Sequence, residues 1–375
     1  MKWKIPLFRM YWDEDDLQLV HNAISSGMNW AVGPEVTMFE DMIARYTGSE
    51  FCLTFNSGTS ALHASLLAHG VGRGDEVIVP SFTFIATANA PLFVGAKPVF
   101  ADIERETFGL DPAEVLKKIT QKTRAILPIH YGGCPCKIKE LREIADEKGL
   151  LLVEDAAEAF GADINGRQVG TFGDVAILSF CQNKVITTGE GGAITTGLRD
   201  LYEKLKLLRS HGRQDNGDYF STTTVMDYIS LGYNMRMSNL SAALGVAQMK
   251  KADYIISQRR ELAGLYRQLL QGIPEVVVPV VPHGYSHVYQ LFTILAEDRD
   301  ALIRHLEQKG IMTKIYFPPV HETYFYHSVR KDKSRLPVTK DISGRVVSLP
   351  IFPGLSRDDA AYVTSEIRSF YRSKS

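Results

Sequence analysis

Residues 124–160 read RAILPIHYGGCPCKIKELREIADEKGLLLVEDAAEAF. Two apolar runs, AILPI and LLLV, flank a charged, helix-forming segment that stops at Gly149. Both runs are continuously apolar instead of alternating. That pattern marks parallel strands covered on both faces. The second run ends at Asp155, where the chain turns. The same alternation continues upstream. EVIVPSF, from Glu76, reads as a buried strand and TANAPLF as helix. KPVFADI reads as a strand, and DPAEVLKKI as a helix opened by an Asp cap. Strand–helix alternation predicts an open α/β sheet. Ligands of such sheets bind beyond the carboxyl ends of the strands.

Past Thr196 the pattern changes. RDLYEKLKLLRSHG is a helix, and Arg213–Ser230 is a polar loop with some strand. A long helical region from Ser238 to about Gly272 carries the expected domain boundary. Strands EVVVPVV, HVYQLFTILA and TKIYFP follow, with helices RDALIRHLEQKG and the segment after GLSRDD. The expected division is a large domain over residues 1–245, including the N-terminal segment, and a smaller α+β domain over 246–375.

Composition fits this plan. A chain of 375 residues exceeds what one hydrophobic core usually holds. Lys plus Arg number 42 and Asp plus Glu 43, so the charge gives no general pull toward nucleic acid or anionic membrane. MKWKIPLFRM lacks the apolar core of a signal peptide, so the expected location is cytoplasmic. The uncharged run Val77–Ala96 is long enough to span a bilayer, but Pro80, Pro91 and Asn89 favour strand, turn and helix. Cys134 and Cys136 form a C-x-C pair with no second pair nearby, which reads as a turn and not as a metal site.

Three features fall where such a sheet puts its ligand. In TFNSGTSALHASLLA, Gly58, Thr59 and their hydroxyl neighbours open a helix, which suits a phosphate or simply a well-capped helix. Asp155 is either half of a charge pair in the crevice or the cap of the next helix. Lys184, in SFCQNKVITTGEGGAITT, is either solvated surface or an amine in a small-sided loop. An ordinary lysine of pKa about 10.4 is only about a thousandth neutral near pH 7, so a nucleophilic role needs a partly desolvating site.

Together, a phosphate cradle, an acid for a ring nitrogen and an amine for an aldehyde are what pyridoxal 5'-phosphate (PLP) requires. Their order in the chain matches PLP enzymes of the aspartate-aminotransferase-like fold, PLP fold type I. Other cofactors fit poorly. GVGRGDE does not complete G-x-G-x-x-G, no G-x-x-x-x-G-K-[ST] occurs, and HETYFYH has the wrong spacing for H-E-x-x-H.

From IPLFRM to about SLPIFPGLS the chain resembles the sugar aminotransferases named for DegT, DnrJ, EryC1 and StrS. The motifs are FNSGTSALHASL, VIVPSFTFIATANA, VEDAAEAFGA, GTFGDVAILSF…K…TTGEGGAI and GYNMRMSNLSAALG. The resemblance implies that Lys184 is the Schiff-base lysine and proton carrier, and that Asp155 pairs with the pyridinium nitrogen. It places Glu158 against the ring and Phe84 on a ring face. Gly58, Thr59 and Ser179 bind the phosphate. Asn234 reaches the phosphate from the other subunit of a homodimer with shared active sites.

The implied reaction is ping-pong transfer from L-glutamate to a nucleotide-linked keto-sugar. NKVITTGEGG is similar to enzymes that aminate C4 of 4-keto-6-deoxy sugars, including perosamine synthases. A 3-keto sugar or a cyclic ketone such as an inosose is the alternative. Tyr316 and His321, in KIYFPPVH, are expected sugar-nucleotide contacts or packing residues. Dehydratases of this fold carry His at the Schiff-base position, so Lys184 argues against that activity. A non-catalytic sensor is opposed by the intact set Asp155, Ser179 and Lys184.

Overall fold

A computed structural model of the chain describes residues 3–214, 223 and 225–374. Helices α1 (Glu14–Ser25) and α2 (Pro34–Thr47) precede the first strand. Seven strands then build one sheet: β1 (Phe51–Phe55), β2 (Glu76–Pro80), β3 (Lys97–Ala101), β4 (Thr123–Ile126), β5 (Leu151–Asp155), β6 (Val175–Ser179) and β7 (Gly192–Thr196). Their order across the sheet is β1-β7-β6-β5-β4-β2-β3. Strand β7 pairs antiparallel with β1 and with β6, and the remaining pairs are parallel.

The continuous apolar runs have a simple cause. Along β2, Val77 and Val79 pack with Val153, Ile177 and Leu66 on one face, while Ile78 packs with Ile126, Leu152 and Leu141 on the other. Both faces are buried from Val77 onward, so those positions are not free to be polar. The covering helices are α3 (Gly58–Ala68), α4 (Ile85–Phe93), α5 (Pro112–Lys118), α6 (Ile138–Lys148) and α7 (Arg199–Arg209). Asp111 caps α5 by accepting the Ala113 N–H at 2.8 Å. Gly149 ends α6 with φ 62°, the left-handed conformation that glycine adopts without strain. The run Val77–Ala96 is β2 plus α4, and among the described residues no helix is long and apolar enough to cross a membrane.

The long helical region is two helices, α8 (Asn239–Met249) and α9 (Ala252–Leu269). Lys251 stands at the break, its Nζ donating to Asp16 Oδ2 at 2.5 Å and also to Asp13, the cap of α1. Helix α8 packs on α1 and α2 in a core that joins Phe39 and Ile43 to Ala242 and Val246. The later turns of α9, with Leu262 and Tyr266, enter a separate core with Phe292, Ile294 and Val347. That core is built on an antiparallel sheet of β8 (Val276–Val277), β9 (Phe292–Ala296) and β10 (Val346–Leu349). Helices α10 (Arg299–Gln308) and α11 (Arg357–Arg372) pack on it. The whole is the expected α/β architecture, a large mostly parallel sheet with a smaller α+β portion.

Several predicted strands are shorter than their sequence pattern, EVVVPVV being strand only at Val276–Val277. In HVYQLFTILA only Phe292–Ala296 is strand, because the N–H groups of Val288 and Leu291 turn away to Gly133 and Gly132 oxygens, each at 3.0 Å. TKIYFP meets β10 only at the Lys314–Ser348 bridge and otherwise runs as loop. Of the polar stretch Arg213–Ser230, residues 215–222 and 224 lie outside the described residues, and Arg213 bridges Tyr228.

Candidate active site

The carboxyl ends of β1, β5 and β6 converge on one cavity of about 620 Å³. At the first, Ser57 caps α3 by accepting the Ser60 N–H at 3.1 Å. The first-turn N–H groups of Gly58 and Thr59 have no carbonyl within the helix to bond, and the helix dipole adds positive potential there. Backbones crowd around them. A Cβ at Gly58 would stand 3.2 Å from Ser179 Cβ, and one at Gly192 would stand 2.5 Å from the Gly58 nitrogen. Gly192 therefore serves the close passage of β7 behind the cradle.

At the end of β5, the Asp155 carboxylate is 2% exposed. It accepts the Thr87 hydroxyl at 2.7 Å and the Ala157 N–H at 3.2 Å. Thr87 has spent its only proton, so the Thr83 hydroxyl, 2.8 Å away, donates to Thr87. Burial pushes the Asp155 carboxyl above its usual range, against the pull of these two donors and of Lys184. Glu158 follows on the next turn. Its Oε2 accepts the Gly132 N–H at 2.8 Å, and its Oε1 lies 3.6 Å from Lys184 Nζ. Lys184 projects from the loop between β6 and β7, with 15% of its side chain exposed.

Phe84, Ser179 and Tyr316 also line the cavity. Phe84 is half-exposed, its ring centroid 5.9 Å from that of Phe317. Tyr316 sits on the facing wall, its carbonyl accepting the Tyr131 hydroxyl. Two predicted residues lie elsewhere. His321 is buried behind the wall, bonded to Ser81 through Nδ1 at 2.6 Å. Asn234 is exposed, bridges Ser210 and does not line this cavity. The sequence reading missed Thr83, Thr87, Glu190 and Lys314. The two threonines stand four apart at the start of α4, inside a motif whose hydroxyls had no assigned partner. Cys181 lines the cavity with its Sγ 3.6 Å from Glu190 Oε1, while Gln182 is exposed.

This donor set fits PLP. A buried carboxylate short of donors suits a protonated ring nitrogen, the α3 N-terminus with Ser179 suits a phosphate, and Lys184 opens on the same space as both. The DegT/DnrJ/EryC1/StrS aminotransferase family model matches residues 11–368. The chain belongs to this family. It is a PLP-dependent aminotransferase. The GDP-perosamine synthase of Escherichia coli O157:H7 is 36% identical over 373 residues, covering 99% of each chain. The crystal structure of DesV from S. venezuelae superposes with TM-score 0.90 at 35% identity, covering 98% of both chains. DesI, solved in the presence of its TDP-sugar product, superposes with TM-score 0.88 at 30% identity, covering 98% of this chain and 92% of its own.

Proposed function

We propose that this aminotransferase moves an amino group from L-glutamate to C4 of a nucleotide-linked 4-keto-6-deoxy sugar, releasing 2-oxoglutarate. One observation carries the chemistry: Lys184, Asp155 and the α3 N-terminus open on a single cavity. The similarity to GDP-perosamine synthase supports the C4 assignment. Glu190, Lys314 and Thr323 give the cavity wall polar and charged groups suited to a sugar nucleotide.

In this reading Gly58, Thr59 and Ser179 hold the cofactor phosphate and Asp155 its ring nitrogen. Phe84 and Glu158 would flank the ring, and Lys184 would hold the cofactor at its aldehyde carbon. When bound, PLP supplies an electron-accepting ring conjugated to the carbon that carries the transferred amine. Lys184 does the proton work. As a free amine it removes the proton from the donor's α-carbon and, as an ammonium, would deliver it to the cofactor; in the acceptor half it would take a proton back from the cofactor and deliver it to the acceptor carbon. Glu158, 3.6 Å away, stabilises the ammonium between these events. Tyr316 contacts the sugar nucleotide. His321, through Ser81, braces the wall next to Val320. Asn234, exposed on its own chain, reaches the phosphate site of a second copy in a homodimer. The domains divide the labour as 1–245 for the cofactor and 246–375 for the cavity wall that carries Lys314, Tyr316 and Thr323.

The test is a substrate screen with glutamate and a panel of 4-keto and 3-keto nucleotide sugars and an inosose, read by product mass. An amino sugar from the 4-keto members alone is expected. Product only from a 3-keto sugar or the inosose would overturn the C4 assignment, and turnover with another donor but not glutamate would overturn the donor.

A further inference from the structure

The segment Val288–Leu291 grips the site from outside the cavity, at two points. Its backbone N–H groups, from Val288 and Leu291, donate to the carbonyls of Gly133 and Gly132, each at 3.0 Å. Gly132 in turn donates its own N–H to Glu158 Oε2 at 2.8 Å. The fit is close: Gly133 has φ 97°, and a Cβ there would stand 2.6 Å from Val288 Cγ2.

The second grip is a side chain. Gln290 Nε2 donates to the carbonyl of Asn183 at 2.5 Å. That peptide unit carries the N–H of Lys184, which donates to the Cys181 carbonyl at 2.9 Å. A peptide unit is planar and stiff. A bond at each end fixes its plane, and with it the Cα from which the Lys184 side chain starts. Gln290 is 4% exposed, and its Oε1 has no hydrogen-bond partner among the described residues. An unpaired buried amide oxygen opposes folding, and an apolar side chain of the same length would avoid it. Packing therefore does not account for an amide here. The Gln290 backbone is held separately, by Arg259, which donates to the carbonyls of Tyr289 at 3.0 Å and Gln290 at 3.3 Å.

We infer that Gln290 is a positioning residue for Lys184, and that Val288–Leu291 is a strap that sets the separation of the Lys184 amine from Glu158. The strap holds the lysine loop through the Gln290 amide and the glutamate through Gly132. The inference rests on the reading of Lys184 as the amine that binds PLP. It makes the α+β portion of the chain a determinant of geometry in a site whose reacting residues all come from the large sheet.

The test uses the PLP holoenzyme with Gln290→Met, which keeps the length but not the donor, and Gln290→Glu, which sets a carboxylate against the Asn183 carbonyl. The readouts are the pH titration of the visible cofactor band and the rate of the half-reaction with glutamate alone. A displaced amine shifts the titration midpoint and slows the half-reaction about ten- to a hundredfold, with KM for glutamate within about twofold. Glu is expected to do more damage than Met on both readouts. A lower melting temperature with unchanged midpoint and rate would assign Gln290 a purely structural role and overturn the inference. Should either variant not fold, Gln290→Asn, one methylene short, reads the same quantities with the same outcomes. If the wild type shows no visible band and no borohydride adduct on Lys184, the PLP reading itself fails, and the inference with it.

Discussion

Strand β5 ends in two adjacent carboxylates, Glu154 and Asp155, both buried, and they are treated in opposite ways. Glu154 is saturated by the protein. It accepts the N–H groups of Gly170 at 2.8 Å, Phe172 at 2.6 Å and Gly173 at 2.5 Å. His130 Nε2 lies 3.1 Å from it. His130 Nδ1 accepts the Cys136 N–H at 3.0 Å, so Nε2 bears the proton and donates to Glu154. Asp155 has two donors and faces the cavity, with its carboxyl pushed up by burial. A buried carboxylate filled with protein donors holds a fold together. One left short of donors at a cavity wall is ready for a cationic ligand.

The contrast predicts where each mutation is felt. Asp155→Asn should lower kcat by about a hundredfold or more, roughly 3 kcal/mol of transition-state stabilisation, because an amide no longer keeps the ring nitrogen protonated. The apo protein should melt no lower than wild type. A raised carboxyl lends stability at low pH and loses it as pH rises through its titration, so the Asn variant should gain on wild type with rising pH. Wild-type kinetics would break the assignment.

Glu154→Gln should do the reverse. Its amide group turns donors toward donors, and the loss should be about 3 kcal/mol in chemical denaturation, with kcat per folded molecule within about threefold. A large fall in kcat with intact stability would erase the contrast. The smallest effect belongs to His287, a buried base that accepts the Tyr289 N–H at 2.8 Å. Burial, with Arg267 and Arg260 nearby, lowers it from 6.5 to about 3. The unfolded chain takes that proton first, so stability is present above pH 6.5 and is lost as pH falls toward 3. Wild type should lose about 2 kcal/mol by pH 5 relative to His287→Asn. An equal acid response in the two proteins would mean that His287 is not held neutral.

Much of this was legible in the residues. The apolar runs around Val77 and Val153 announced doubly covered strands because both faces are buried. Asp155, Lys184 and the Gly58 cradle could be found because each is out of place in a strand end or a loop. The reversed direction of β7 was not legible, since an apolar run carries no polarity. Glu154 and Gln290 were hidden for another reason. Their partners, Phe172 and Asn183, are contributed by other parts of the chain, and no local pattern marks a polar residue that is satisfied at long range. His287–Leu291 has the composition of a strand, but its backbone bonds go to a glycine turn.

The direction of β7 has a mechanical consequence. A parallel return would need a long crossover, whereas the antiparallel one brings the chain straight back beside β6, with Ser179 opposite Gly192. The lysine therefore rides on a loop whose two feet stand one interstrand spacing apart, about 4.8 Å, on strands that are both paired on each side within the sheet. Such a loop is tethered at both ends, unlike a hinged arm. To move its feet the protein would have to unpair β6 from β7, so what remains to be set within the loop is the pose of the lysine, where the Gln290 amide bonds to it.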